Sequence, residues 1–362
     1  MSALARLAEL DGARVSGSDA NHPPGHRCEN IHSGIDLVII NGAIADDNPE
    51  LLRARELGIE IMGRETLLAH IERRYTNRIA VAGSHGKSTT TAMIGQVLSF
   101  GGLNPTVHNG AHPNLMIGGR DYFVTEACEF KRSFLELAPT VAVITNVDFD
   151  HVDCYRDFDD IKAAFDTFGS RAQTVFWGSE IDSAQLMNGI KLKVPGKHNI
   201  ENAALAVTVG KHFGIPRDTI KAALENFTGI RRRFEKVGAI NDCIIIDDYA
   251  HHPTEIAATI ETAESIYGAN RFLVVFQPHT FTRTKALFHD FVHSLGRANC
   301  VLYKTFSARE KPIQGGTAHD LARALGCRYF ASPEALKRYL GRVAAKYDAI
   351  IMMGAGDLDK IF

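Results

Sequence analysis

Short runs of aliphatic and β-branched residues alternate along the chain with segments that have the period of an α-helix. This alternation is typical of repeated β-α units, so we predict an α/β protein built on parallel sheets. The pattern turns polar near residues 73–77 and again after residues 227–230. These two interruptions divide the chain into three predicted domains, at residues 1–76, 77–229 and 230–362.

Strands are predicted where short apolar runs occur, and helices where the apolar period is near 3.6 residues. The predicted strands lie at residues 36–40, 59–62, 78–82, 122–125, 141–145, 243–246, 272–276, 301–303 and 349–353. The predicted helices lie at residues 49–57, 158–168, 199–213, 218–226, 253–266 and 285–295. Because no internal repeat separates them, each domain is expected to have its own sheet.

Composition excludes several classes of protein. Hydrophobic residues make up 45% of the 362 residues and charged residues 23%, which disfavours disordered, collagen-like and disulfide-scaffold proteins. The 40 Lys and Arg against 42 Asp and Glu leave no global basic field for nucleic acid or an anionic membrane. Six cysteines without a C-x-x-C pair predict a reduced, cytosolic protein. We find neither a secretory signal nor an apolar run of ~18 residues that could span a membrane.

The segment RIAVAGSHGKSTTT, residues 78–91, has the strand–turn–helix order of a phosphate-binding loop. Glycines let the backbone approach a polyphosphate, Lys87 neutralises its oxygens, and the Ser88 hydroxyl can hold Mg²⁺. Val81 occupies the place of the first glycine in the usual motif, so the loop is a compressed variant; the alternative is a structural turn. An exposed loop lysine adds little stability, so we expect Lys87 to matter for turnover and not for folding. The predicted nucleotide contacts here are Gly83, Ser84, His85, Gly86, Lys87, Ser88 and Thr89.

Acidic and imidazole side chains follow two of the neighbouring predicted strands. Glu126 ends the first of them, and Asp148, Asp150 and His151 follow the second. The carboxyl ends of parallel strands face a common crevice, so these groups are expected to converge near the phosphates. Carboxylate and imidazole there suit a divalent metal ion, whereas each group alone would be read as a surface residue.

Two further segments have both a structural and a functional interpretation. Asn199 and Asn202, in VPGKHNIENA, either contact the adenine or ribose of a nucleotide, or Asn199 simply caps a helix. The run 231–233, three arginines at a predicted domain boundary, is either a solvated charge run or a clamp for phosphates.

Polar clusters also follow the strands of the third domain. The first is DDYAHHPTE, residues 247–255, with two acids, two histidines and a proline-opened helix directly after the strand. The others lie at residues 277–279, 282–284 and 307–310. All are expected at one sheet edge, which predicts a second binding surface.

These motifs, together with EACE, NVDFDHVD, GIRRRFE, FQPHTFTRT and MMGAGD, resemble the Mur ligase family in order and spacing over nearly the whole chain. DDYAHHPTE and QPHTFTRT are similar to the branch that joins L-alanine to UDP-N-acetylmuramate; the branch that recycles murein tripeptide shares most motifs. The resemblance implies a Rossmann-like N-terminal domain for the UDP-sugar, a central P-loop ATPase domain and a Rossmann-like C-terminal domain for the amino acid.

The resemblance also implies a reaction and its residues. ATP would phosphorylate the carboxylate of UDP-N-acetylmuramate, and the amine of L-alanine would attack the acyl phosphate. Neither nucleic acid nor membrane insertion is implied, and monomer and homodimer both stay open. The residues implied in catalysis are Lys87, His151, His252 and Arg283. By the same resemblance Ser88, Glu126 and His151 would hold Mg²⁺, Asn199 and Asn202 the adenine, Arg232 the phosphates, Asp248 the ribose, and His252 and Arg283 the amino acid.

The chain departs from the family pattern in three places. The glycine-rich turn for the sugar-nucleotide diphosphate, which precedes a helix like residues 1–5, is missing, although residues 17–19 could meet the uridine. The segment between His151 and His198 is short, so the central sheet is expected to be trimmed. Thr280 stands where some members have an arginine. A nucleotide-binding protein that has lost ligase activity is therefore the alternative from another functional class.

Overall fold

The computed structural model describes residues 1–19, 22–23, 25–149, 154–308 and 310–361. Within these residues the strands form three separate sheets, one of two strands and two of six. The sheets follow one another along the chain, with helices between their strands. The predicted three-domain α/β architecture is thus confirmed.

The first part of the chain holds a parallel strand pair. Its elements are α1 Ser2–Leu10, β1 Leu37–Ile40, α2 Pro49–Glu56, β2 Glu60–Gly63 and α3 Arg64–Glu72. The local sequence explains where α2 begins, because the Asn48 side chain accepts hydrogen bonds from the Glu50 and Leu51 amides and Pro49 takes the first helical position. Leu4 and Leu7 of α1 are buried in the same hydrophobic cluster as residues of the central sheet.

The central part is a six-stranded sheet covered by helices. Its elements are β3 Asn77–Ala82, α4 Lys87–Phe100, β4 Thr106–His108, β5 Leu115–Met116, β6 Tyr122–Glu126, β7 Val141–Ile144, α5 Phe158–Ser170, β8 Thr174–Trp177, α6 Ser183–Leu186, α7 Lys197–His212 and α8 Arg217–Glu225. The strand order is β5-β4-β6-β3-β7-β8, and every pairing except β4 with β5 is parallel. A hydrophobic cluster on each face buries the apolar residues of the middle strands, as their continuous apolar sequences require.

The last part is a second six-stranded sheet. Its elements are β9 Glu235–Ile240, β10 Cys243–Asp248, α9 Pro253–Tyr267, β11 Phe272–Phe276, α10 Phe281–Ala286, α11 Phe288–Leu295, β12 Cys300–Tyr303, α12 Ala318–Leu325, β13 Arg328–Phe330, α13 Pro333–Val343 and β14 Ala349–Met353. The order is β13-β12-β11-β14-β10-β9, with only β9 antiparallel among these strands. Short 3₁₀ segments lie at Cys28–Asn30, Phe130–Glu136, Gly178–Glu180, Ala344–Lys346 and Leu358–Ile361.

The predicted strands and helices all have counterparts, with three corrections. The predicted helix at residues 285–295 is two helices that meet at Leu287. Asp247 and Asp248 belong to β10 instead of following it. Five strands were not predicted, namely β4, β5, β8, β9 and β13. Four of them are edge strands, which lack the continuous apolar run of a buried strand, and β4 has only three residues. In the part of the chain that the structure describes, no helix is long and apolar enough to cross a membrane.

Candidate functional site

A cleft of about 690 Å³ lies between the central sheet and the C-terminal sheet. The phosphate-binding loop after β3 lines one side of it, and residues 231–233, Asp247 and the segment before α9 line the other. Both sides are built at the carboxyl ends of parallel strands, which is where α/β proteins bind their ligands. Cationic and anionic side chains alternate around the walls, so the cleft suits a charged ligand.

The phosphate-binding loop depends on two glycines with positive φ. Gly83 has φ 142° and Gly86 has φ 80°, and α4 begins at the next residue, Lys87. A side chain at Gly86 would meet Asn202, since a Cβ atom there would lie 2.4 Å from its Oδ1. The loop is held to β7 by the Asn146 side chain, which accepts the His85 amide hydrogen at 2.9 Å. The backbone amides at the start of α4 are thereby presented to the cleft.

We expect Gly83→Ala to destabilise the fold and weaken nucleotide binding. A Cβ atom at residue 83 would lie 1.9 Å from Thr145 Oγ1, and φ 142° is unfavourable for any L side chain. The steric contact and the unfavourable φ together should lower the free energy of unfolding by about 3 kcal/mol, measured by urea denaturation. Gly102→Ala is the matched control: its φ is 77° but nothing lies within 4 Å, so about 1 kcal/mol is expected. Equal losses in the two variants would contradict the contact with Thr145.

The prediction that Lys87 is an exposed loop lysine is wrong, because its side chain is only 14% exposed. Its Nζ atom donates to the carbonyl oxygens of Gly83 and Ser84, at 2.6 and 3.2 Å, and lies 2.9 Å from Glu129 Oε2. Burial alone would lower the pKa of Lys87, but the buried Glu129 carboxylate outweighs it and raises that pKa. Lys87 therefore stays charged at the base of the cleft, and its ion pair contributes to folding.

Ser88 and Glu126 form a second polar pair beside the loop. The Ser88 hydroxyl donates to Glu126 Oε2 at 2.7 Å, and the same oxygen accepts the Gly110 amide hydrogen at 2.9 Å. Two oxygen donors at the start of α4, next to the phosphate-binding loop, are a donor set that suits Mg²⁺. His151, the third predicted metal ligand, and Asp150 lie outside the described residues.

The opposite wall of the cleft carries two arginines stacked on one tyrosine. The guanidinium carbons of Arg232 and Arg233 lie 5.0 and 5.4 Å from the centroid of the Tyr249 ring. Arg232 donates to Asp247 Oδ2 at 3.1 Å and to the Gly354 carbonyl at 2.7 Å. Arg233 lies 3.4 Å from Glu255 Oε1. These contacts fix both cations toward the cleft.

Comparison with known proteins identifies the family. Three family models match the chain, described as "Mur ligase family, catalytic domain" at residues 1–76, "Mur ligase middle domain" at 81–177 and "Mur ligase, glutamate ligase domain" at 232–356. A UDP-N-acetylmuramate–L-alanine ligase of Lachnospira eligens is 37% identical over 433 aligned positions, which cover 100% of this chain and 94% of that protein. The chain belongs to the Mur ligase family.

Other members agree with this assignment. A UDP-N-acetylmuramate–L-alanine ligase of Caldicellulosiruptor saccharolyticus is 36% identical, over an alignment that covers 99% of this chain and 94% of that protein. The crystal structure of a UDP-N-acetylmuramate-alanine ligase from Thermotoga maritima has a TM-score of 0.81 at 26% identity, over 100% of this chain and 94% of that one. A murein peptide ligase from Psychrobacter arcticus shares the fold, with a TM-score of 0.70 at 23% identity, over the same fractions. Because 362 residues occupy 433 positions of the first alignment, at least 71 positions hold no residue of this Mur ligase.

The structure brings about half of the predicted site residues of this Mur ligase to the cleft. The predicted residues that line it are Ser84, His85, Gly86, Lys87, Ser88, Glu126 and Arg232. Those that do not line it are Gly83, Thr89, Asn199, Asn202, Asp248, His252 and Arg283. Most side chains of the residues outside the cleft form hydrogen bonds within the protein.

The two predicted adenine ligands make structural contacts on α7. Asn199 Nδ2 donates to the Pro195 carbonyl at 2.5 Å, and Asn202 Oδ1 accepts from the Thr90 hydroxyl at 3.1 Å. The alternative prediction, that Asn199 caps a helix, is wrong, because α7 begins at Lys197 with Gly196 as its N-cap. Asn202 supports the phosphate-binding loop through its close approach to Gly86.

Asp248, the predicted ribose ligand, accepts hydrogen bonds from the backbone around it. Its carboxylate accepts the amide hydrogens of Ala250 and Phe234, at 2.8 and 2.9 Å. Burial raises the pKa of Asp248 to about 6, although Arg233 opposes the shift. The neighbouring Asp247 lines the cleft.

His251, and not the predicted His252, lines the cleft. His252 is buried and is the N-cap of α9, where its ring accepts the Thr254 amide hydrogen at 3.4 Å. The His251 ring lies 6.0 Å from that of His279, which in turn lies beside Arg283. The sequence contains the signal for this difference, because Pro253 favours the first position of a helix and makes residue 252 its N-cap.

Glu129, Tyr249 and Glu255 also line the cleft but were not among the predicted site residues, and Arg233, part of the run predicted as a phosphate clamp, lines it too. Each lies within a motif already singled out, but only the fold separates the side chains that face the cleft from their neighbours. Thr280 is the N-cap of α10 and has φ 41°. Its place beside Arg283 puts it in the second surface that the sequence predicted.

Proposed function

We propose that this Mur ligase is an ATP-dependent amide-forming enzyme that joins L-alanine to UDP-N-acetylmuramate in peptidoglycan synthesis. ATP phosphorylates the substrate carboxylate, and the amine of L-alanine attacks the resulting acyl phosphate. The observation that carries the proposal is 37% identity to a UDP-N-acetylmuramate–L-alanine ligase over the full length of this chain. A cleft built around a phosphate-binding loop supports it.

The proposed roles of the cleft residues follow from their charge. Lys87 and the amides at the start of α4 would bind the terminal phosphates of ATP, and would stabilise the charge that develops during phosphoryl transfer. Arg232 and Arg233 would hold further anionic oxygens from the opposite wall. Their existing contacts with Asp247 and Glu255 keep both guanidiniums oriented before substrate arrives.

Ser88 and Glu126 fit a magnesium ion, and we propose them as its protein ligands. Their two side-chain oxygens lie next to each other at the end of β6 and the start of α4. A bound Mg²⁺ would supply positive charge to the transferring phosphate. His151 remains a proposed ligand of a second ion on the strength of the family resemblance alone.

For the amino acid we propose the surface that connects His251, His279 and Arg283. The guanidinium of Arg283 matches the planar carboxylate of L-alanine. Adjacent rings link this surface to the cleft, with His251 facing both. His252 would act indirectly, through the start of α9.

We also propose that the domains span residues 1–76, 77–229 and 230–362, with the UDP-sugar, ATP and amino acid bound in that order. The UDP-sugar would approach the central sheet from the part that contains α1. The six cysteines are free thiols, which supports a place in the reducing cytoplasm.

Acceptor choice tests this function. With ATP, Mg²⁺ and UDP-N-acetylmuramate, we expect L-alanine to give UDP-N-acetylmuramoyl-L-alanine, identified by mass spectrometry, and murein tripeptide to give at most about 1% of that rate. A preference for tripeptide would assign the chain to the recycling branch. ATP binding without product from either acceptor would identify a nucleotide-binding protein without ligase activity.

A further inference from the structure

His85 lies between two carboxylates that come from different parts of the fold. Its Nε2 atom is 3.1 Å from Asp148 Oδ2, on the segment after β7, and its Nδ1 atom is 3.5 Å from Glu255 Oε1, on α9. The imidazole is only 14% exposed. Since residue 85 belongs to the phosphate-binding loop, this side chain connects the loop to the C-terminal sheet's first helix.

Glu255 is held rigidly on its own side of the contact. Its carboxylate accepts the backbone hydrogens of His251 and His252, at 3.0 and 3.4 Å, which completes the capping box of α9. Arg233 approaches the same carboxylate at 3.4 Å. Through these hydrogen bonds Glu255 is fixed relative to the start of α9, including His251.

Asp148 is held equally firmly on the other side. Its amide donates to the Ser84 hydroxyl at 2.8 Å, and that hydroxyl donates back to the Asp148 carbonyl at 3.0 Å. Thr254 at the start of α9 donates its hydroxyl hydrogen to Asp148 Oδ2 at 2.6 Å. A second contact thus crosses the same boundary beside His85.

We propose that His85 is a positioning residue that latches the phosphate-binding loop to the start of α9, so that the ATP-binding and amino-acid-binding sides are aligned for reaction. The proposal rests on the proposed function and deepens it: no further chemical step is assigned to His85. Its role is to keep His251 and the cleft arginines at a fixed distance from Lys87. Misplacement of about 1 Å can cost about 100-fold in rate, so such a latch is worth testing in kcat.

The two carboxylates require a particular charge state of His85. A protonated imidazole donates from both nitrogens, whereas a neutral one donates from only one. Burial opposes protonation, but the hydrogen bonds to Asp148 and Glu255 outweigh it and raise the pKa of His85 to about 9. Three other ionisable groups lie close to this contact. The His252 ring lies 4.8 Å from that of His85, His251 Nδ1 lies 3.2 Å from Glu255 Oε2, and Arg233 lies behind Glu255.

The sign of the pH dependence follows from that raised pKa. The stabilisation that the charged latch gives to the fold is complete below the ordinary histidine pKa of about 6.5, and it is lost as pH rises through about 9, where His85 loses its proton. The pKa values of the Asp148 and Glu255 carboxyls are both lowered, so these groups stay ionised throughout that range. The alkaline limb of the rate profile should therefore contain the titration of His85.

His85→Gln and Thr254→Val test the latch in the full-length protein. We expect His85→Gln to lower kcat about 10–100-fold and to remove the alkaline limb near pH 9, while the Kd for ATP changes less than about 3-fold. Thr254→Val, which removes the hydrogen bond to Asp148, should lower kcat by a smaller factor. Asp166→Asn is the control, because it breaks an ion pair of 2.8 Å with Lys162 on α5, away from His85 and its partners. It should leave kcat, its pH profile and the Kd for ATP unchanged.

Two results would overturn the proposal. An unchanged kcat and pH profile in His85→Gln would show that the contact has no part in the reaction. A loss of ATP affinity as large as the loss of kcat would make His85 a nucleotide contact instead. If the wild-type protein forms no product, the proposed function fails separately; the latch is then tested by unfolding His85→Gln, Glu255→Gln and the double variant, where additive effects would overturn it.

Discussion

Lys87→Met will lower kcat for ATP-dependent product formation by about 10²–10³-fold, the largest effect of any single substitution in the cleft. The lysine is the cation at the base of the phosphate-binding loop, and methionine keeps its length without its charge. Phosphoryl transfer depends mainly on positioning and charge neutralisation, so little activity should survive. Steady-state rates of ADP release measure this directly.

The same substitution will also destabilise the fold, by about 3–5 kcal/mol, because it leaves the buried Glu129 carboxylate without its cation. Glu129→Gln in the Lys87→Met background removes that charge, so the double variant should regain most of the lost stability. It should not regain activity. Urea unfolding and ADP release on the wild-type protein, Lys87→Met, Glu129→Gln and the double variant separate the two effects.

Either of two observations would refute this account of Lys87. Wild-type turnover in Lys87→Met would refute the phosphate-binding role of the loop. Undiminished stability in the same variant would refute the buried ion pair with Glu129.

Glu126→Gln will raise the Mg²⁺ concentration needed for half-maximal activity by about 10–100-fold. The substitution keeps the size of the side chain and one oxygen, but it removes the charge beside Ser88. The measurement is a magnesium titration of the initial rate at saturating ATP. Glu180→Gln, at an exposed position of the same part of the chain, is the control and should leave the titration unchanged.

An unchanged magnesium requirement in Glu126→Gln would contradict the metal assignment. A rise in the KM for ATP at every Mg²⁺ concentration, without a shift of the titration, would place Glu126 in nucleotide binding. Ser88→Ala should shift the titration in the same direction, because the two side chains are neighbours.

The sequence predicted the parts of this fold that depend on local order. The phosphate-binding loop is contiguous, so its strand, glycine turn and helix could be read directly from residues 78–91 and are found as β3, the turn and α4. The longer buried strands were equally clear from their apolar runs, whereas the three-residue β4 was not. The short helix break at Leu287 was not, because the apolar pattern continues through both helices.

Contacts between distant segments could not be predicted in the same way. His85, Asp148 and Glu255 meet only because the central and C-terminal sheets face each other across the cleft. The burial of Lys87 by Glu129 likewise depends on the 3₁₀ segment after β6, whose course the sequence leaves open. The family resemblance points to the segment DDYAHHPTE, but only the fold distinguishes His251, which faces the cleft, from His252, which caps α9.

The central claim is that this Mur ligase couples ATP hydrolysis to amide formation between two substrates. The most direct measurement is phosphate release with ATP and Mg²⁺, omitting UDP-N-acetylmuramate or L-alanine in turn. We expect release only when both are present, with one phosphate formed for each amide bond. Phosphate release that is independent of either substrate, or ATP binding with no release at all, would contradict the claim.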